Sequence, residues 1–199
     1  MSFRMWLNPK NYLFKSREYR SLIKYDEYAL STFRGGNGIL SKKERKMLEY
    51  RLVKYIRIVQ TNSSNVWGYI YNRKLIKNGI DFYSNKNIGK GLVIGHWGRI
   101  IISGKATLGN QVMITHGVTI GRDIRGKRKG DPTIGNRVCI RANSTVVGNI
   151  TIGDDVLIAP NTFVNFDVPS HSIVIGNPAR IISKENATAG HVGGWLDEQ

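Results

Sequence analysis

Four histidines and a single cysteine are the side chains of this sequence best suited to proton transfer or nucleophilic attack near neutral pH. Two of them, His96 in Ile94-Gly95-His96-Trp97-Gly98 and His116 in Ile114-Thr115-His116-Gly117, sit in similar apolar, glycine-containing settings. Neutral imidazole suits general-base work on a hydroxyl. By residue type alone, each is equally a surface histidine at a turn. His171 and His191 fall near the C-terminus and read as structural or exposed. A catalytic zinc site needs three convergent ligands, and no third histidine stands near His96 and His116, so no metal is expected. Cys139 can form neither an intrachain disulfide nor a cysteine metal cluster and reads as an inert thiol. The stretch Arg122 to Thr133 carries Arg122, Arg125, Lys127, Arg128 and Lys129, and reads either as a solvated arm or as a contact for an anion.

The element that must position the two histidines is a six-residue repeat. Its first positions are Ile88 and Ile94, then, after a two-residue phase shift, Ile102, Leu108, Ile114 and Ile120, then, after the loop, Ile134, Ile140, Val146, Ile152, Ile158 and Val164. Four residues on come Leu92, Gly98, Ala106, Val112, Val118, Val138, Ser144, Ile150, Val156, Thr162 and Val168, none of them charged. A helix spaces apolar residues by three or four and a half-buried strand by two. A period of six is one short strand plus one turn. Three such units close a triangular coil, and successive coils stack at the ~4.8 Å spacing of a parallel sheet. The expectation is a mainly β fold over residues 79–184, a parallel solenoid of about four coils interrupted by loop 122–133.

Residues 1–78 read as a basic helical segment and 185–199 as a C-terminal tail. Ser41-Lys42-Lys43-Glu44 is a capping box and predicts a helix start. Leu48, Leu52, Tyr55, Ile56 and Val59 follow at helical spacing, with Lys46, Arg51, Lys54 and Arg57 assigned to the solvated side. A second helix carries Trp67, Ile70, Tyr71, Leu75 and Ile76, capped within Asn62–Ser64 and ending at Asn78-Gly79. Trp6, Tyr12, Phe14, Tyr19 and Tyr25 are interleaved with further basic residues.

With 199 residues, 41% hydrophobic and 22% charged, the chain is of ordinary globular composition, which excludes wholesale disorder. Its net charge of +16 is uneven: residues 1–87 hold 18 Lys+Arg and 6 Asp+Glu (+12), residues 88–199 hold 12 and 8 (+4). The excess therefore lies on the helices, where it predicts a solvated face, an assembly surface or peripheral attraction to an anionic membrane. No apolar run approaches the ~18 residues of a spanning helix and no cleavable leader is evident, so a cytoplasmic protein is expected. No nucleic-acid recognition motif accompanies the charge, which disfavours that partner and the non-enzymatic alternative of a basic scaffold.

The Ile-Gly-x-x-Val-x units, the loop between Ile120 and Ile134, and Gly176-Asn177-Pro178-Ala179-Arg180 together resemble the left-handed β-helix hexapeptide-repeat acyltransferases. Within that group, Gly91-Leu92-Val93-Ile94-Gly95-His96-Trp97-Gly98-Arg99-Ile100-Ile101-Ile102 is similar to serine O-acetyltransferases and to their relatives that acetylate bacterial polysaccharides. The resemblance implies acetyl-CoA as acyl donor, no metal, and a homotrimer with active sites between subunits. It implies His96 as general base, with Asp81, fifteen positions earlier, as the carboxylate that orients it. In a coil of eighteen residues that spacing brings the two to nearby coils, so a hydrogen bond between them is expected. His116, Trp97 and Asp131 are the acceptor-site candidates. Ala142 and Ala159 would flank the pantetheine chain, and Arg180 and Lys184 would meet the coenzyme phosphates; Arg141 faces either an interface or a phosphate. Two family positions differ: Gly95 stands where an aspartate precedes the histidine, and Gly130-Asp131-Pro132 where the arm ends in Arg-His-Pro. These departures favour a glycan or polysaccharide-precursor hydroxyl as acceptor, with serine as the alternative.

Overall fold

The computed structural model of the chain describes residues 16–62, 66–82 and 87–196; Trp6, Tyr12, Phe14 and the Ser63-Ser64 cap lie outside them. The period of six folds as strand-and-turn units in the expected left-handed β-helix. One wall is a five-stranded parallel sheet of β1 (Ile80–Phe82), β3 (Ile100–Ile102), β6 (Thr119–Gly121), β9 (Thr145–Val147) and β12 (Phe163–Val164). The second joins β4 (Thr107–Leu108), β7 (Thr133–Ile134) and β10 (Thr151–Ile152), extended by single bridges from Ile88 to Leu108 and from Ile152 to Val168. The third runs β2 (Val93–Ile94), β5 (Met113–Ile114), β8 (Val138–Ile140), β11 (Val156–Ile158) and β13 (Ser172–Gly176), and ends on the antiparallel β14 (Ala179–Ser183).

All twelve first-position aliphatics are buried, as are all the fourth-position residues except Gly98. Phe82 and Val174 add to the stack, which is five levels deep where the repeat alone counts about four. A fully buried aliphatic contributes ~1.5–3 kcal/mol, so the column is the main source of stability. Its two internal hydroxyls are satisfied: Ser144 Oγ donates to the Ala159 carbonyl at 2.8 Å, and Thr162 Oγ1 accepts from the Gly176 N–H at 3.1 Å.

Three helices, α1 (Arg17–Phe33), α2 (Leu48–Asn62) and α3 (Val66–Lys77), cap the first coil. Leu52, Ile56, Val59 and Leu75 bury into the same apolar cluster as Ile80 and Phe82, so helices and coils share one core. From α3 only Leu75 of the expected apolar set is buried, and Ile76 is exposed. The Ser41–Glu44 capping box forms, with Ser41 N–H to Glu44 Oε2 at 2.8 Å and Glu44 N–H to Ser41 Oγ at 3.2 Å. It opens only a single 3-10 turn, Glu44–Lys46, because Met47 is extended (ψ 143°) and α2 begins after it.

Arg57 departs most from the solvated position expected of it, since it is fully buried. Its Nε and Nη2 each donate to Asp26 of α1 at 2.8 Å, Nη1 donates to Gln60 Oε1 at 2.7 Å and to the Ile88 carbonyl at 3.1 Å, and Nη2 also donates to the Gly89 carbonyl at 2.6 Å. Asp26 in turn accepts from the Leu92 N–H at 2.8 Å, which locks two helices to the first coil. The tail is equally engaged. Trp195 stacks on Tyr25 at 4.8 Å, and a Cβ at Gly193 would come within 1.9 Å of the Ala29 carbonyl oxygen, so only glycine permits this approach. No helix among the described residues is long and apolar enough to cross a membrane.

Candidate active site

Strands β2, β5, β8 and β11 each run into a corner that ends on a residue of positive φ: Arg99 (44°), Gly117 (72°), Asn143 (59°) and Asn161 (57°). Backbone bonds from Gly117 N to Gly98 O (2.8 Å), Asn143 N to His116 O (3.0 Å) and Asn161 N to Ala142 O (2.9 Å) hold these corners in register. In the lower three, only Thr115-His116, Arg141-Ala142 or Ala159-Pro160 separates the last inward aliphatic from that residue. The first corner has Gly95-His96-Trp97-Gly98 in the same span. The surplus is the two-residue phase shift of the repeat, and a closed coil can accommodate it only by bulging outward. His96 is therefore exposed and Trp97 is 48% exposed.

His116, one coil below, places its ring centroid 6.0 Å from that of His96 at an interplanar angle of 67°. Ala142 continues the same column, and Thr115, Arg141 and Ala159 form the neighbouring one. Arg180 on β14 pairs with Ile175 at the foot of this edge. The structure thus aligns His96, His116, Ala142, Ala159 and Arg180 along one corner. Lys184 is not among them: its N–H donates to the His171 carbonyl at the other end of β14.

Asp81 lies on the adjoining wall. Within one chain, among the described residues, no hydrogen bond joins it to His96, contrary to the expected pair. The bulge lengthens the local coil, so that Asp81 registers with Ile101, five positions past His96 and beyond the corner. Asp81 instead lines an open groove of about 380 Å³ with Ile76, Gly79, Ile80, Arg99 and Ile101. Arg99 was not singled out from the sequence; the phase shift is the signal that would have placed it at a corner beside this groove.

Asp131 anchors the basic arm, hydrogen-bonded to Ser103 and 3.8 Å from Arg122. The arm folds back as a short hairpin closed by paired Asp123–Gly130 backbone bonds of 2.9 Å and tied to the next coil through Asn149 N–H to Arg128 O at 2.8 Å. Cys139 is buried under α1, and that burial pushes its thiol up to about 11, against the pull of Arg141. No thiolate chemistry is open to it near neutral pH.

Residues 131–165 match the family model described as bacterial transferase hexapeptide (six repeats). The chain is 41% identical over 123 residues to serine acetyltransferase 4 of Arabidopsis thaliana, covering 61% of this chain and 31% of that protein. It is 34% identical over 142 residues to a serine acetyltransferase of Staphylococcus epidermidis, covering 63% and 67%. The crystal structure of Neisseria gonorrhoeae serine acetyltransferase superposes with a TM-score of 0.75 at 25% identity, over 87% of this chain and 68% of that one. The chain thus spans under a third of the plant protein and about two thirds of the bacterial ones.

Proposed function

From the premise that the chain belongs to the hexapeptide-repeat acyltransferases of the serine acetyltransferase type, we propose that it transfers an acetyl group from acetyl-CoA to a hydroxyl. The observation that carries this is the corner bulge, which sets His96 beside His116 at the head of an edge lined by small residues and ending in Arg180. A hydroxyl is too weakly acidic to attack a thioester unaided at neutral pH. His96 takes its proton as the new C–O bond forms and returns it to the departing thiolate as the C–S bond breaks. His116 contacts the acceptor, Ala142 and Ala159 leave room for the pantetheine arm, and Arg180 meets a coenzyme phosphate.

Asp81 joins this site only through assembly. Its groove opens on the outer face of the five-stranded sheet, where Ile101 and Phe163 are exposed, and a homotrimer of this chain would cover that face. Across the boundary Asp81 would stabilise the imidazolium of a neighbouring His96.

Serine is the first acceptor, on the names of the relatives, which reverses the order the two sequence departures favour. A glycan hydroxyl is the second reading. It rests on Asp131 being committed to Ser103 and on Gly95 offering no carboxylate for an acceptor ammonium. Purified protein with acetyl-CoA and either serine or a hydroxyl-bearing glycan, followed by release of free thiol, tests both. Thiol release with serine settles the acceptor; release with neither would falsify the transferase proposal.

A further inference from the structure

Residues 50–80 hold six cations, Arg51, Lys54, Arg57, Arg73, Lys74 and Lys77, and no acidic residue. Arg57 is consumed by Asp26. The other five lie on α2 and α3, Lys54 half-buried and the rest exposed; from these two helices only Ile76, next to Lys77, lines the Asp81 groove. Four of them meet tyrosines: Arg51 donates to the Tyr55 hydroxyl at 3.1 Å, Lys54 Nζ lies 5.4 Å from the centroid of Tyr50, Lys74 Nζ sits 4.4 Å from that of Tyr71 and 5.6 Å from that of Tyr55, and Arg73 lies 5.8 Å from Tyr69. Arg51, Lys54, Tyr55, Ile58 and Tyr71 line an open cavity of about 200 Å³. On the same outward half of α3, Val66 and Tyr69 are 45% and 61% exposed, at i and i+3.

Cations on snorkelling stems, tyrosines at their base and the exposed Val66 and Tyr69 beside them match the layers of a bilayer interface, where phosphates lie above acyl chains. A nucleic-acid backbone would satisfy the charges but leave Val66 and Tyr69 facing water. We propose that the outer surface of α2 and α3 docks on an anionic lipid membrane, with the Arg51–Lys54–Tyr71 cavity seating a lipid phosphate. This inference is independent of the reaction assigned to the His96 corner, so failure of either leaves the other standing.

The test is co-sedimentation of the full chain with vesicles of phosphatidylcholine alone or mixed with phosphatidylglycerol. Binding is expected only to the mixed vesicles and should weaken as salt shortens the screening length. Arg51→Gln with Lys74→Gln should reduce partitioning by about 30-fold, about fivefold for each cation removed. Val66→Ser with Tyr69→Ser should weaken binding while leaving its salt dependence in place. Lys127→Gln with Lys129→Gln, on the distant hairpin, should have no effect. Each variant is checked for an unchanged thermal midpoint, and any that fails is replaced by the single substitution Lys74→Gln. Equal binding to neutral vesicles, absence of binding to anionic ones, indifference to the Arg51 and Lys74 changes, or displacement by duplex DNA at equal phosphate would each overturn the proposal.

Discussion

At the corner opposite the histidine pair, Gln111, Arg137, Asp155 and His171 stack one above another at φ values of 54–56°, the same left-handed backbone that Arg99, Gly117, Asn143 and Asn161 adopt at the His96 corner. Asp155 is buried and accepts from five donors: Thr188 Oγ1 at 2.7 Å, the Ala187 and Thr188 N–H groups at 3.0 and 3.1 Å, and Arg137 and His171 at 3.0 Å each. The tail closes over this corner and exhausts its polar capacity. At the His96 corner two surplus residues push the imidazole outward, and the two histidine rings face solvent. One backbone device therefore serves two ends: a corner filled by its own chain is structural, and a corner left open is available for chemistry.

The sharpest way to break this contrast is to exchange what each corner loses. His96→Gln should lower kcat by about 10²–10⁴-fold, the usual contribution of a general base, with the thermal midpoint unchanged. Loss of fold in that variant would place His96 with the structural corner instead. Asp155→Ala should act in the opposite sense, costing about 3 kcal/mol of stability through the three buried donors of Ala187 and Thr188 left without an acceptor, while KM in the folded fraction stays the same; denaturant melts and steady-state kinetics measure the two.

The same carboxylate predicts an acid limb. Burial drives the Asp155 carboxyl up, but the Thr188, His171 and Ala187 hydrogen bonds outweigh it and hold the group at about 2. A depressed folded-state value means that its contribution is present above the unfolded value near 4 and lost as pH falls toward 2. Stability of the wild type should decline through that window, and Asp155→Asn should flatten the decline. The smallest effect is expected at His116→Ala, about tenfold in kcat/KM, since that ring lies beside the base without replacing it. A loss as large as that of His96 would make the pair, and not His96 alone, the functional unit.

Much of this was legible in the residues. Period six names the inward aliphatics, and the phase shift between Ile94 and Ile102 marks the corner that bulges. Arg57 was not legible, because a cation at a helical position looks the same whether it meets water or Asp26, thirty-one positions away. Nor was the role of Asp155, whose partners at Ala187 and Thr188 arrive only when the tail folds back. The Asp81 and His96 spacing fits the coil length, yet the bulge that exposes His96 also carries it out of register with Asp81.

By itself, then, the sequence determined the solenoid and the corner at which it opens, because short-range spacing controls which side chains point inward and where a closed coil must bulge. Tertiary structure alone decided which charges are spent and which remain. Asp26 and Arg57, and Asp155 and Thr188, are pairs whose members are far apart in the chain, and burial makes each partner obligatory once the walls of the fold bring them together.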